Sequence, residues 1–399
     1  MQHAHNNVTR RNLLKALGAL GITTGLPTSP ALAAAGSDKR ILVVVEMSGA
    51  NDGLNTLVPY TEDAYYRLRP RIGLRADNIR KIDDRYGFNP GMLGFERLYK
   101  DGKMAIVHGC GYPQQSLSHF QSMGYWHTGV PNGGERFGWL GRVADAIDPQ
   151  LTPNFLINID ERQSLAVHSE HHVPVVFDDP ERFARKGLLQ SRPLLDNPSV
   201  TDGPNLSRNY LDKVAASARE ASTLVRAAWG SYKTPVDYGM RSLDLNKVAA
   251  MINAGLPSQL FYVSFRHNAF DTHVHQNAQH GRLLSYASDA IAGFMKDMER
   301  IGRADDVNVL VFSEFGRRVA ENTSLGTDHG TANHMYVIGK PVKGGHYGDA
   351  PSLTNLDEDG NLIFTTDFRR VYASLIEGWL KHDSKVLLGG DFKTFPLYV

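Results

Sequence analysis

The 399-residue sequence has a single cysteine, Cys110, so no disulfide can form within the chain, and the fold must be held by its core or by a bound ion. Beyond the amino-terminal segment no apolar run approaches the roughly 20 residues that a membrane-spanning helix needs. Neither charge is in surplus: 43 Lys and Arg stand against 42 Asp and Glu. That balance gives no reason to expect nucleic acid or an anionic membrane as partner. Three motifs are also missing: a Gly-X-Gly-X-X-Gly turn after the first strand, a phosphate-binding loop with Gly-Lys-Ser/Thr, and a Gly-X-Ser-X-Gly elbow. Their absence weighs against dinucleotide enzymes, P-loop nucleotidases and typical serine esterases.

What is present starts with a leader. Residues 9–15 read Thr-Arg-Arg-Asn-Leu-Leu-Lys, followed by "ALGALGITTGL" and "PTSPALA". Twin arginines, a weak apolar stretch and a small-residue site predict a twin-arginine export signal (1–33), cleaved after Ala33. Arg10, Arg11 and Lys15 leave with it, so the mature chain carries 40 basic and 42 acidic residues, a formal charge of −2. The expectation is a periplasmic or secreted protein with no integral membrane segment after signal removal. Residues 34–399 read as one domain, with 127–206, poor in helical pattern, as an insertion or cap over the sheet. Within it, 190–207 ("QSRPLLDNPSVTDGPNLS") reads as a surface connection.

Apolar, β-branched-rich runs at 40–47, 104–109, 155–159, 260–265 and 307–315 predict buried strands, with 335–339 as a sixth. Amphipathic patterns predict helices over 90–102, 209–229, 280–302 and 367–380, the last capped by Thr366 or Asp367. Strands alternating with helices imply an α/β fold with a mainly parallel central sheet sandwiched by helices.

In such sheets ligands bind beyond the carboxyl ends of the strands, and the polar residues of this chain gather there. Asp52 follows the first strand, and Ser118 and His119 the second. Asp271, His273 and His275 come after 260–265, and Glu314 and Arg317 end 307–315. Next comes "GTDHGTANH" (326–334), with Asp328 and His329 between glycines that permit close backbone approach to a ligand. The alternating Asp271, His273 and His275 share one side of an extended segment, and carboxylate with imidazole suits zinc or manganese. Ser118 opens a predicted helix, whose free N–H groups would seat a nucleophile facing an anionic ester. Plainer readings stand beside these. Asp52 is turn chemistry, Ser116 or Ser118 is an N-cap, Glu314 pairs with Arg317 or Arg318, and histidines such as His108, His127 and His346 are ordinary surface or core residues.

Taken together, "ILVVVEMSGANDGLNTLVPY", "SLSHFQSMGYWHTG", "FDTHVHQN", "VLVFSEFGRRVAENTSLGTDHGTANHMYVIG" and "TTDFRRVYASLIEGWL" resemble the bacterial exported domain-of-unknown-function family 1501. That family is similar to the alkaline phosphatase and sulfatase superfamily. The resemblance implies an alkaline-phosphatase-like fold with one or two divalent ions (zinc, manganese, magnesium or calcium). Asp271 and His273 match the ligands of one metal and His329 its late histidine. Asp328 joins that set. Glu314 stands where a second site's Asp-His pair begins, with Phe315 in place of the imidazole, so that site is altered. Asp52 lies near the first acidic ligand, although Glu46 takes the place directly after the strand. Ser118 matches the nucleophile, while His119, Arg317 or Arg318 would orient the anion. Cys110 lacks the sulfatase formylglycine context. Two functions follow. One is a metal-dependent hydrolase of a phosphate, sulfate or related ester, its substrate a small anionic ester or an envelope polymer. The other is a catalytically inactive binding or assembly protein with an envelope protein partner.

Overall fold

Every position of Ile41–Glu46 (β1) is buried, because the strand is covered on both faces. Ile41, Val43 and Val45 enter one apolar core and Leu42 and Val44 the other, as the alternation of side chains along a strand requires. Each such side chain contributes about 1.5–3 kcal/mol over its exposed state. The computed structural model describes residues 40–183 and 220–398. The predicted leader, the connection at 190–207 and the first part of the helix expected at 209–229 lie outside them; 220–231 is helical.

The remaining strands of the main sheet are Met104–Gly111 (β2), Leu156–Ile159 (β3), Val175–Phe177 (β4), Leu260–Ser264 (β5), Val307–Phe312 (β6), Asn333–Ile338 (β7), Gly345–Tyr347 (β8) and Thr366–Asp367 (β9). The sheet runs β8-β2-β7-β6-β1-β5-β3-β4, with β9 also pairing with β2. All pairings are parallel except those of β7 with β2 and β6. On one face lie Leu93–Lys100 (α1) and, further along, Leu245–Asn253 and Gln276–Arg300, which supply Phe95, Val248, Leu284 and Phe294 to the first core. On the other face His119–Thr128 (α2), Trp139–Ile147 (α3) and the carboxyl-terminal segment supply Trp126, Trp139, Val143 and Tyr372 to the second.

The six expected strands are present. The helix expected at 280–302 begins earlier, at Gln276, since that buried glutamine is held by hydrogen bonds to Asp52 and Thr327 rather than by apolar burial. The stretch 367–380 is helical from Arg369 but passes into a π-helical turn, Ser374–Trp379. The cap reading of 127–206 is corrected where that stretch is described. Its strands β3 and β4 extend one edge of the sheet itself, and α3 packs against the second core. The strand at 155–159 is among those expected, but the run "VVF" that forms the edge beyond it is too short to announce itself from sequence.

Because β7 is antiparallel, its amino-terminal end lies at the carboxyl edge of β1, β2, β5 and β6. The loops that follow those four strands and the stretch 326–334 that precedes β7 therefore meet at one edge. Gly326 and Gly330 make that meeting possible. A Cβ at Gly326 would lie 2.2 Å from the His273 carbonyl oxygen, and one at Gly330 would lie 2.4 Å from the Arg317 carbonyl carbon. The close approach expected of these glycines is thus to neighbouring backbone rather than to a ligand.

Candidate metal centre

Asp271 sits at the middle of this edge. Its Oδ1 is 2.6 Å from Arg317 Nη2, 2.9 Å from His273 Nε2 and 3.2 Å from His329 Nε2, and its Oδ2 is 3.4 Å from His119 Nε2. His119, Asp271 and His329 each offer a ligand atom within 4.8 Å of the other two. His119 comes from the first turn of α2, Asp271 from the loop after β5 and His329 from the approach to β7.

Two of the rings are oriented from behind. His329 Nδ1 is 2.9 Å from the Leu117 carbonyl oxygen, which can only accept, so Nδ1 carries the proton and Nε2 presents its lone pair towards Asp271. His119 Nδ1 is 2.7 Å from Glu314 Oε1 in the same arrangement. A ring nitrogen tied to a carboxylate or carbonyl, with the opposite nitrogen free, is how metal-ligating histidines are held. His119 Nε2 is buried and makes no hydrogen bond, an unfavourable state for a polar atom unless something else takes its lone pair. Two imidazoles and a carboxylate form a donor set that fits a borderline divalent cation.

The three groups are shifted in different directions. Burial pushes the Asp271 carboxyl up, but the hydrogen bond and charge of Arg317, with help from His329 and His273, hold it down at about 2. Burial disfavours charged His119, yet the hydrogen bond and charge of Glu314 and the charge of Asp271 outweigh it and raise its pKa. Burial and the charge of Arg317 lower that of His329.

The other expected residues fall into distinct places. His273 adjoins the cluster, its Nε2 3.0 Å from His329 Nε2. Asp328 stands at the exposed rim, where it accepts from Asn322 Nδ2 at 3.1 Å and lies 3.4 Å from His273 Nδ1. Glu314 is behind the cluster. Its Oε1 takes His119 and the Gly49 N–H and its Oε2 contacts Ser313, so it holds the His119 ring and does not itself join the three, contrary to its expected place as a ligand. Ser118 is exposed at the N-cap of α2, and its hydroxyl makes no capping bond, contrary to its plainer reading. It follows Leu117, whose carbonyl holds His329.

Two expectations are corrected. Arg317 does not face a substrate anion. It is buried, with Nε on the Ala50 carbonyl, Nη1 on that of Thr327 and Nη2 on that of Gly49 and on Asp271. It ties three loops together instead. Asp52 does not join the cluster. It caps the short helix Gly53–Thr56, pairs with Arg69 Nη1 at 2.6 Å and accepts from Gln276, all within the core. The structure also supplies residues the sequence reading missed. Arg69 and Asn322 lie in no recognisable motif. Beside His119 runs an open cleft that also holds Glu46 and His127.

The model of the family described as "Protein of unknown function (DUF1501)" matches residues 38–364, more than half of the chain, and the chain belongs to that family. No curated protein matches the sequence. Similar solved structures include a protein in the alkaline phosphatase superfamily from Vibrio parahaemolyticus, 12% identical, with a TM-score of 0.44 over 90% of this chain and 71% of that one. The C-terminal periplasmic domain of EcEptC from Escherichia coli, in complex with Zn, is 11% identical, with a TM-score of 0.36 over 76% and 74%. The phosphonate monoester hydrolase SpPMH from Silicibacter pomeroyi is 9% identical, with a TM-score of 0.35 over 89% and 78%. No helix among the described residues is long and apolar enough to cross a membrane.

Proposed function

We propose that this DUF1501 member is a metal-dependent hydrolase of an anionic ester, a phosphate, a sulfate or a relative of these, exported by the twin-arginine route to the periplasm or beyond. The observation that carries the reading is the convergence of two pre-oriented imidazoles on Asp271, with His119 Nε2 buried, without a hydrogen bond and 3.4 Å from the Asp271 carboxylate. His119, Asp271 and His329 would hold one ion, with His273 beside them; Asp52 and Glu314 are not part of that set. When bound, a divalent ion would neutralise charge on the anionic group and lower the pKa of a hydroxyl or water. The chain's own part is positional. Glu314 and the Leu117 carbonyl fix the two rings, and Arg317 fixes Asp271. The amino-terminal N–H groups of α2 face the same edge, where they favour an anion. Ser118, next to His119 in the chain and with its hydroxyl exposed and free of a capping bond, would attack.

A second reading has one observation in its favour. With Arg317 fully engaged, the cluster lacks the arginine fork that commonly grips a phosphate or sulfate. A binding or assembly protein with an envelope partner would have no need of it. Metal content decides between the two. Elemental mass spectrometry of the mature protein from its own cell type should find about one ion per chain, lost in Asp271→Ala and His329→Ala. The same preparations should hydrolyse 4-nitrophenyl phosphate or sulfate only when the ion is present. A folded wild-type protein without metal sinks the hydrolase reading.

A further inference from the structure

Helix α2 has a face of its own. His119, Met123 and His127, at intervals of four, line one open cleft together with Phe120, Glu46 and Leu165. Eight residues at 1.5 Å each place His127 about 12 Å along the helix from His119. The metal cluster therefore stands at one end of the cleft. A second polar cluster stands at the other.

That second cluster is Glu46, His127 and Tyr262. The Tyr262 hydroxyl lies against Glu46 Oε2, and His127 Nε2 is 2.8 Å from the same oxygen and 2.9 Å from the tyrosine oxygen. Burial, and then the charge of Glu46, keep the Tyr262 hydroxyl protonated far above its ordinary range, so it donates to the carboxylate. His127 Nε2 then faces two acceptors and must carry a proton of its own. The ring's Nδ1 is held by neither of them. Glu46 and His127 line the cleft, while Tyr262 is buried beneath them. Both bonds fall on Glu46 Oε2, which leaves Oε1 on the cleft wall to accept from a hydrogen-bond donor. Between the two ends the wall is apolar, with Met123, Leu165 and Phe120, the last 93% exposed.

We propose that the cleft binds an ester in extended form, with its anionic head at the His119 cluster, an apolar stretch over Met123 and Phe120, and a hydroxyl or ammonium group held about 12 Å away by Glu46, which His127 and Tyr262 position. This rests on the hydrolase reading for the head group and adds the chemistry of the tail. Glu46 and His127 are then residues of specificity, remote from the reacting bond.

The test is calorimetric binding of three synthetic esters to the purified mature protein: hexyl phosphate, 6-hydroxyhexyl phosphate and 6-aminohexyl phosphate, beside inorganic phosphate. The terminal donor should tighten binding about tenfold over hexyl phosphate, the usual worth of a hydrogen bond to a charged partner. The hydroxyl and amino arms tell which donor fits. Glu46→Gln should remove that advantage and leave hexyl phosphate within about twofold of its wild-type affinity. Met123→Trp, which fills the middle of the cleft without touching the Glu46 pair, should weaken all three hexyl esters and spare inorganic phosphate. Equal affinity for the three esters overturns the proposal, as does an equal effect of Glu46→Gln on all of them. If inorganic phosphate binds and no hexyl ester does, the tail site is wrong and the head site stands. If nothing binds, both fall.

Discussion

Arg317 shows how a residue flagged for chemistry can serve it indirectly. Its guanidinium joins the loop after β1, through the Gly49 and Ala50 carbonyls, to Asp271 and to the Thr327 carbonyl. Replacing it by alanine takes the guanidinium from half-buried Asp271 and the side-chain donor from the Gly49, Ala50 and Thr327 carbonyls, so Arg317→Ala should lose about 3–5 kcal/mol in urea denaturation. It should also lose bound metal, whereas a merely catalytic arginine would leave both unchanged. Asp52 makes the same point with a pH signature. Burial pushes its carboxyl up, but Arg69 and the bonds from Arg69 and Gln276 outweigh this and hold it below the ordinary range. A depressed folded pKa stabilises the protein above the unfolded value, and that stability is lost as the pH falls through the folded one. Asp52→Asn should therefore cost about 3–5 kcal/mol at pH 7 and flatten the acid limb of a stability-against-pH curve; an unchanged acid limb would show that Asp52 and Arg69 are not coupled. Neither role was legible in sequence. Asp52 sits in a turn motif, its partner Arg69 is 17 residues away, and Asp271 is 46 residues from Arg317. That His119, His273 and His329 lie at one edge was legible from their places after apolar runs, but His119 was read as orienting an anion, and its bond to Glu314 195 residues away could not be seen.

The elements of the sheet were legible where burial on both faces makes a run continuously apolar, as in "ILVVVE" and "VNVLVF". The short edge strands β4 and β8 were not, since three residues carry no period to detect. The direction of β7 was also hidden: a single strand looks the same either way, and only its register with β2 and β6 shows why 326–334 reaches the site. A further device joins α3 to the stretch before β4. Buried His172 bridges Asp145, at 2.9 Å, and Asp148, at 3.1 Å. Burial disfavours its charge, but the bonds to both aspartates prevail and raise its pKa. A raised folded pKa gives stability that is complete below the ordinary histidine value and is lost as the pH climbs through the folded one. Urea midpoints of the wild-type protein should thus fall between pH 6 and pH 9 by more than those of His172→Gln. Parallel profiles would mean that His172 stays neutral between its aspartates.

At the scale of the whole molecule, the proposed ion would join parts of the chain that are far apart in sequence. His119 follows β2, Asp271 follows β5 and His329 precedes β7, so one bound cation closes loops reaching across most of the sheet. None of the three is positioned by a neighbour in sequence alone. His119 depends on Glu314, His329 on Leu117 and Asp271 on Arg317. An unfolded chain cannot reproduce that set, so the proposed ion would bind the folded state and stabilise it by mass action. With free metal at a hundred times its dissociation constant the gain should be about 2.7 kcal/mol. Urea denaturation of the metal-loaded protein, with and without a strong chelator, should show that difference. The difference should vanish in His329→Ala, which leaves the Arg317 ties in place, and should persist in Ser118→Ala, which removes a proposed nucleophile and no ligand. A chelator effect of equal size in His329→Ala would place the stabilising ion elsewhere on the chain. The edge where β1, β2, β5 and β7 meet would then be a hydrogen-bonded scaffold, with Asp328 and His329 as its rim.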